Sequence, residues 1–407
     1  MIPKSAGCGK GMAVNMDIVR IGVIGIGNMG SAHAVQIYEG RVNGAVLTAV
    51  CDVREERLQW ARKRFNGSVS TFQEDWRMME SGKVDAVLIA TPHKLHPVIA
   101  GKAFGCGLCV LTEKPAGIDA ASVRSMNRTA EECGKVFGIM FNQRTNPLYG
   151  KLHDLIREGA LGEIKRFVWI INNWYRTQAY YDSGDWRATW SGEGGGVLIN
   201  QCPHNLDIWQ WIMGMPVRLR AFCGIGHYHR IQVEDDATIY AEYANGATAV
   251  FITSTGEYPG TNRLEVSGTR GKAVVEEGRL KLQLLNRDER KICFLEKKGM
   301  PEEELTCATI EQKEPDSGHL KILQNFTDAV LYGKELIAPG REGIYSLMLS
   351  NAAYLSAWKD CWISIPADEH EFLDFLEKKQ KEESKIPKAA SEEKMTEGYS
   401  NRWNVRW

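Results

Sequence analysis

No apolar run in this 407-residue chain approaches the roughly 20 residues a helix needs to cross a bilayer, so helical membrane spans are excluded. Charge of one sign is missing too. Fifty Lys and Arg stand against 51 Asp and Glu, the formal net charge is −1, and the basic residues are scattered. Such a surface offers nucleic acid or an anionic membrane no field to follow, and neither partner is expected. Residues 1–18 lack the apolar core of a secretory signal, which points to a cytoplasmic location. They read as a Gly-rich polar extension, and Met12 or Met16 could serve as initiator. A disulfide framework is also missing: the ten cysteines are dispersed, and Cys51, Cys109 and Cys223 sit inside strand-like apolar runs where free thiols are ordinary. Cys106 and Cys109 have CxxC spacing, but no second pair completes a four-ligand set, so no metal is expected. There is no internal repeat.

What is present is apolar content of 43%, in a chain long enough for two domains. From Arg20 to about Gln143, short apolar runs (Val46 to Cys51, Val84 to Ala90, Leu108 to Thr112, Val136 to Phe141) alternate with amphipathic helical stretches. This is βαβ logic, and it predicts a doubly wound parallel sheet whose loops gather along one edge. The first run feeds Gly25-Ile26-Gly27-Asn28-Met29-Gly30, the spacing that seats a dinucleotide pyrophosphate on a helix N-terminus. Asp52, closing the next strand, suits a ribose diol and disfavours a 2′-phosphate, so NAD is expected over NADP, with Arg54 keeping NADP open.

After Pro147 the pattern changes. A helix over Leu148 to Glu158 leads into an aromatic and β-branched run from Glu163 to Tyr175. From Val217 to about Leu285, strand-like segments punctuated by Gly and Asn predict an antiparallel meander. The fold class is therefore α/β: a Rossmann domain over 19–145, then an α+β domain over 146–372 with a large, mostly antiparallel open sheet. Helices near Leu320 to Leu331 and Gly343 to Trp358 are expected to pack back on the first domain. An open sheet needs a cover, which suggests a homodimer or homotetramer through its face. Residues 373–407 read as a charged tail, although its end, Tyr399 to Trp407, interleaves Trp with Arg.

Two groups of residues carry chemistry. Lys114, in the loop Glu113-Lys114-Pro115 after a buried strand, would hold an ammonium beside the cofactor. His204 follows the opening Gly194-Gly195-Gly196 and shares a helical face with Asn200 at i, i+4, with an irregular turn allowed by Pro203. The aromatic and basic segment holding Trp174, Tyr175, Arg176, Tyr180, Trp186 and Arg187 suits a polyol or, equally, core packing. His227 and His229 with Glu234, Asp235 and Asp236 read as a polar connection rather than a metal site.

Taken together, Gly25-x-Gly27-x-x-Gly30, Ala90-Thr91-Pro92-His93-x-x-His96, Glu113-Lys114-Pro115, Asn142-Gln143-Arg144, Gly159-x-Leu161-Gly162-Glu163-Ile164, Trp186-Arg187 and Gly194-Gly195-Gly196 with His204 make the chain resemble the Gfo/Idh/MocA oxidoreductases. The resemblance spans about residues 19 to 360. It implies a cofactor site of Gly25, Gly27, Asn28, Met29, Asp52, Arg54, Thr91, Pro92, His93, His96, Glu113, Lys114, Asn142 and Arg187. It implies Lys114 and His204 as the catalytic pair, with Arg144, Tyr175, Arg187 and Asn200 at a small carbohydrate-like substrate. One departure stands out: many members carry Asp where this chain has Asn200. The implied reaction is NAD-dependent oxidation or reduction at a secondary hydroxyl or ketone of a sugar, cyclitol or glycoside, possibly at C3. His204 is the preferred base and Lys114 the orienting group, roles that could be exchanged. An NAD-retaining glycosidase working by transient oxidation, and a non-catalytic dinucleotide sensor, are the other readings.

Overall fold

Short aliphatic runs build the first sheet of the computed structural model, which describes residues 17–383 except 185, 302 and 313–316. They are β1 (Val19–Ile24), β2 (Ala45–Cys51), β3 (Ser70–Phe72), β4 (Ala86–Ile89), β5 (Cys109–Thr112) and β6 (Phe137–Ile139). All pair in parallel, in the order β3-β2-β1-β4-β5-β6. Strands β1 and β4 lie at the centre with both faces covered, which is why they read as nearly unbroken apolar runs. Strand order reverses between them, so the loops leaving β1 and β4 diverge and open a crevice at their carboxyl ends.

The turn after β1 brings the helix Asn28–Tyr38 back onto the sheet at backbone distance. Gly25 takes φ +83°, and a Cβ on Gly30 would lie 1.9 Å from Gly25 O. No L side chain fits there. A Cβ on Gly27, by contrast, would meet nothing within 4 Å.

The second sheet holds β7 (Ile164–Ile171), β8 (Arg218–Ile225), β9 (Glu234–Glu242), β10 (Thr248–Ser254), β11 (Asn262–Gly268), β12 (Gly271–Glu276), β13 (Arg279–Leu285), β14 (Leu305–Glu311) and β15 (Ile363–Ser364). Their order is β14-β13-β12-β11-β7-β10-β9-β8-β15. The expected meander is therefore interrupted: β7 inserts between β10 and β11, parallel to the first and antiparallel to the second. Its alternate residues Phe167, Trp169 and Ile171 are all buried on one face of the sheet. On that face Trp209, from the helix Pro203–Met213, stacks with Phe167 and Phe251, each at 5.8 Å between ring centroids.

Each sheet has its own core, and the helix Gly343–Lys359 belongs to both. Ile344 and Leu347 join the core of the first sheet, as do Ile322, Leu323 and Phe326 of the helix Gly318–Tyr332. Leu349, Ala352, Ala353, Tyr354 and Leu355 join the second. The charge-dense stretch is not a free tail over its first part. The helix Glu369–Glu383 runs across position 372, buries Phe372 and Leu376, and stacks Phe372 and Phe375 on Trp358. The Trp/Arg end and residues 1–16 lie outside the described residues.

Among the described residues, no helix covers the outer face of the second sheet around Phe222 and Tyr240. Phe222 and Tyr240 are exposed there, and the cross-strand rows Ile170–Ile252–Thr238–Phe222 and Val168–Val250–Tyr240–Arg220 make its middle largely apolar. Among the described residues, no helix is long and apolar enough to cross a membrane. The glycine geometry yields a paired expectation for urea unfolding: Gly30→Ala loses about 1–3 kcal/mol of stability, whereas Gly27→Ala unfolds like the parent chain.

Candidate active site

The carboxyl ends of β1, β2, β4, β5 and β6 deliver the first half of the site. Asp52, just past β2, accepts the Ile26 amide at 2.9 Å and the Arg54 amide at 3.0 Å, so its carboxylate is fixed beside the glycine turn. Beyond β4, His96 spans the carbonyls of Pro115 (2.7 Å) and Thr91 (2.8 Å) and ties the β4 loop to the β5 loop. Beyond β5, the buried Glu113 meets His33 of the first helix at 2.7 Å, and Lys114 extends toward the second lobe. Its Nζ donates to the Asn200 carbonyl at 3.0 Å.

The second half comes from residues 174–204. Pro203 cannot continue a helix, so the single helix expected to carry Asn200 and His204 is two: Val197–Asn200 and Pro203–Met213. His204 thus stands in the first turn of the longer one. Its ring is 6.1 Å from that of Phe141, and its Nδ1 is buried without a partner among the described residues. Asn200 Nδ2 donates to Glu193 and, at 3.2 Å, to the Tyr180 hydroxyl, which also accepts from Arg187 at 2.9 Å.

Burial sets the electrostatics. It lowers Lys114 below the ordinary lysine value, helped by Arg176 and Arg187 and opposed by Glu113 and Glu193. Burial, then the Lys114 charge and His319, hold His204 well below the usual histidine value, so the ring is neutral at pH 7 and able to accept a proton. Burial alone would raise Glu113. The hydrogen bond and charge of His33 outweigh it and hold the carboxylate at about 2.

Several expected site residues fall into place differently. Arg144 is not available to a substrate: its guanidinium is 1% exposed, bonds Asp207 through Nε (2.8 Å) and Nη2 (2.6 Å), and reaches Glu342 at 2.5 Å. Both ring nitrogens of His96 lie at hydrogen-bond distance from backbone carbonyls, so the ring ties the two loops together. His93 is likewise buried, with Nδ1 3.1 Å from the Glu193 carbonyl. Arg54 is exposed beside Glu56. Tyr175 is 41% exposed and pairs with Tyr258 at 5.3 Å. Arg187 packs over the rings of Tyr180 (4.6 Å) and Trp186 (4.8 Å). His229 bridges Asp235 (2.8 Å) and the Arg176 carbonyl (2.9 Å), a polar connection as expected. Among the described residues, no group of three His, Cys, Asp or Glu is placed to hold a metal. Sequence reasoning missed His33, His319 and Glu193. An acid set between Gly192 and Gly194 in an otherwise uncharged run was the available signal for the last.

The first-sheet edge fits a dinucleotide. The space over Gly27 is open, no side chain caps the helix Asn28–Tyr38, and Thr91 Oγ1 and Asn142 Oδ1 are buried without partners among the described residues.

Comparison with known proteins agrees. The NAD-binding Rossmann profile of the GFO/IDH/MocA oxidoreductases matches residues 19–141, and the C-terminal domain profile of that family matches 149–274. Myo-inositol 2-dehydrogenase of Thermotoga maritima is 24% identical over 343 residues, 82% of this chain and 95% of that protein. Inositol 2-dehydrogenase of an Arthrobacter species is 37% identical over 149 residues, 36% of this chain and 44% of that protein. The WlbA dehydrogenase of Bordetella pertussis, solved with NADH and UDP-GlcNAcA, superposes with TM-score 0.72 at 26% identity, covering 86% of this chain and all of that one (100%). Levoglucosan dehydrogenase, solved with NADH and levoglucosan, shares the fold at TM-score 0.71 and 22% identity over 86% of this chain and 99% of that one.

The Arg144 geometry predicts that Arg144→Ala, which leaves Asp207 buried and unpaired, costs about 3–5 kcal/mol in chemical denaturation. A variant with parental stability but a raised KM would restore the substrate role.

Proposed function

The chain belongs to the GFO/IDH/MocA family of NAD-binding oxidoreductases, and from that premise we propose that it oxidises a secondary hydroxyl of a sugar, cyclitol or glycoside to a ketone. The observation that carries the proposal is the convergence of Lys114, from the dinucleotide lobe, and the neutral His204, from the other, at one partly buried edge. His204 takes the hydroxyl proton. Lys114, steadied by the Asn200 carbonyl, orients the hydroxyl oxygen and offsets the negative charge that develops on it. When bound, NAD supplies the hydride acceptor.

Polyol recognition draws support from the buried Trp174 Nε1 and Arg176 Nε, donors without a partner among the described residues, and from the exposed Tyr175–Tyr258 pair. Relatives named as inositol dehydrogenases support the same substrate class. C3 is the position we favour on a hexose. The glycosidase and sensor readings find no specific support. We take 19–145 as the dinucleotide unit and 146–372 as the substrate and oligomerisation unit, a division the two separate cores support. A cytoplasmic location accords with dispersed free thiols.

Screening inositols, hexoses and glycosides by absorbance of the reduced cofactor tests the reaction. NADH should accumulate with a substrate, and glycoside cleavage without net reduction, or NAD binding with neither outcome, would overturn it. Lys114→Ala is expected to keep NAD affinity by fluorescence titration while turnover falls at least about a hundredfold.

The apolar outer face supports homo-oligomerisation through the second sheet. In analytical ultracentrifugation the parent should sediment as a dimer or tetramer and Ile170→Asp/Ile252→Asp as a folded monomer. A parent that is itself monomeric would end that part of the proposal.

A further inference from the structure

Where the resemblance expects an acid, position 200 has a carboxamide, and a carboxylate from seven residues earlier reaches it. Asn200 Nδ2 donates to Glu193 Oε1, while the backbone carbonyl of the same Asn200 receives the Lys114 ammonium at 3.0 Å. Glu193 is 1% exposed, and its Oε2 accepts the Ala188 amide at 2.7 Å. Arg187 Nη1 lies 3.6 Å from Oε1. The cations facing this carboxyl are thus Lys114 and Arg187. The remaining polar neighbours are the Asn200 carboxamide, the Tyr180 and Tyr181 hydroxyls, and the His93 ring on its own backbone carbonyl.

We propose that Glu193 is a positioning residue of this active site, a buried carboxyl group that supplies the counter-charge holding the Lys114 ammonium charged and in place. It touches neither substrate nor cofactor. It acts through Lys114 directly, across space, and through Asn200, whose two ends it and the ammonium share. The inference rests on Lys114 being the working ammonium of the proposed reaction.

Burial pushes Glu193 up to about 7, against the opposing pull of Arg187, the Ala188 amide and Lys114. The sign follows. Below that value Glu193 is protonated, Lys114 loses a counter-charge and its ammonium is less favoured; above it the charge returns and the ammonium is held. His204, held well below the ordinary histidine value by burial, is neutral around that pH.

The test needs no substrate. The apo chain is reductively methylated with 13C-formaldehyde, the Lys114 resonance is assigned by its loss in Lys114→Arg, and its shift is followed by NMR from about pH 5 to about pH 11. The parent should show a step near pH 7 from Glu193 before Lys114 itself titrates. In Glu193→Gln the step should vanish and the Lys114 titration move down by about one pH unit or more. Adding Asn200→Asp to that variant should restore both. Should Glu193→Gln fail to fold, Asn200→Asp alone decides: a second carboxyl in contact with Glu193 must move the step upward, because two such groups resist ionising together. Superimposable titrations in folded variants, or an unmoved step in Asn200→Asp, overturn the proposal. Absence of NADH formation in the substrate screen, with the NMR steps as expected, would instead count against the proposed reaction alone.

Discussion

The whole cleft depends on one buried ion pair. Arg144 leaves the first sheet on the turn Asn142–Thr145 and grips Asp207 with two parallel hydrogen bonds, both side chains 1% exposed. Asp207 lies three residues beyond His204, on the same face of the helix Pro203–Met213, so the grip fixes the His204 ring relative to the edge of the first sheet. A third contact, to Glu342, draws in the turn that opens the helix Gly343–Lys359, which serves both cores. Pairs of this kind gain little over apolar residues of equal volume, since desolvating two charges costs about what their attraction returns. Registry is what this one supplies: a forked guanidinium accepts a single arrangement of the two lobes.

Within that frame, two buried glutamates show how environment divides one chemistry into two. Glu113 has an imidazole at 2.7 Å and Lys114 beside it, and it stays ionised far into acid. Glu193 has a backbone amide, a carboxamide and a guanidinium only at 3.6 Å, and burial prevails. One is a permanent charge and the other a group that titrates near neutrality. Carboxyls pushed apart in this way mark where an active site keeps its fixed and its variable charge.

The cofactor side was legible in the sequence and the substrate side only in part, for a physical reason. Strands covered on both faces must be apolar throughout, so β1, β2, β4 and β5 announce themselves, and the loops at their carboxyl ends follow from right-handed crossovers. The half-buried three-residue β3 has no such pattern. Pairing order in the second sheet depends on partners scores of residues apart, and so the insertion of β7 between β10 and β11 left no local trace. Arg144 looks the same in sequence whether it faces a ligand or an acid 63 residues away. Pro203 did signal a disturbed turn, but only packing decides that the disturbance is a break between two helices.

The carboxamide at position 200 and the acid at 193 make sense as a pair. Asn200 offers N–H groups toward Glu193 and the Tyr180 hydroxyl while its backbone carbonyl receives Lys114, so one residue joins the anion and the ammonium without adding charge. An acid in its place would face Glu193 across a single hydrogen-bond distance, and one of the two would have to stay protonated. At residue 193 the acid is buried at 1% exposure, whereas Asn200 is half-buried. The buried donors Trp174 Nε1 and Arg176 Nε are left without a partner among the described residues, and the carboxyl group near Lys114 is set back from the half-buried Asn200.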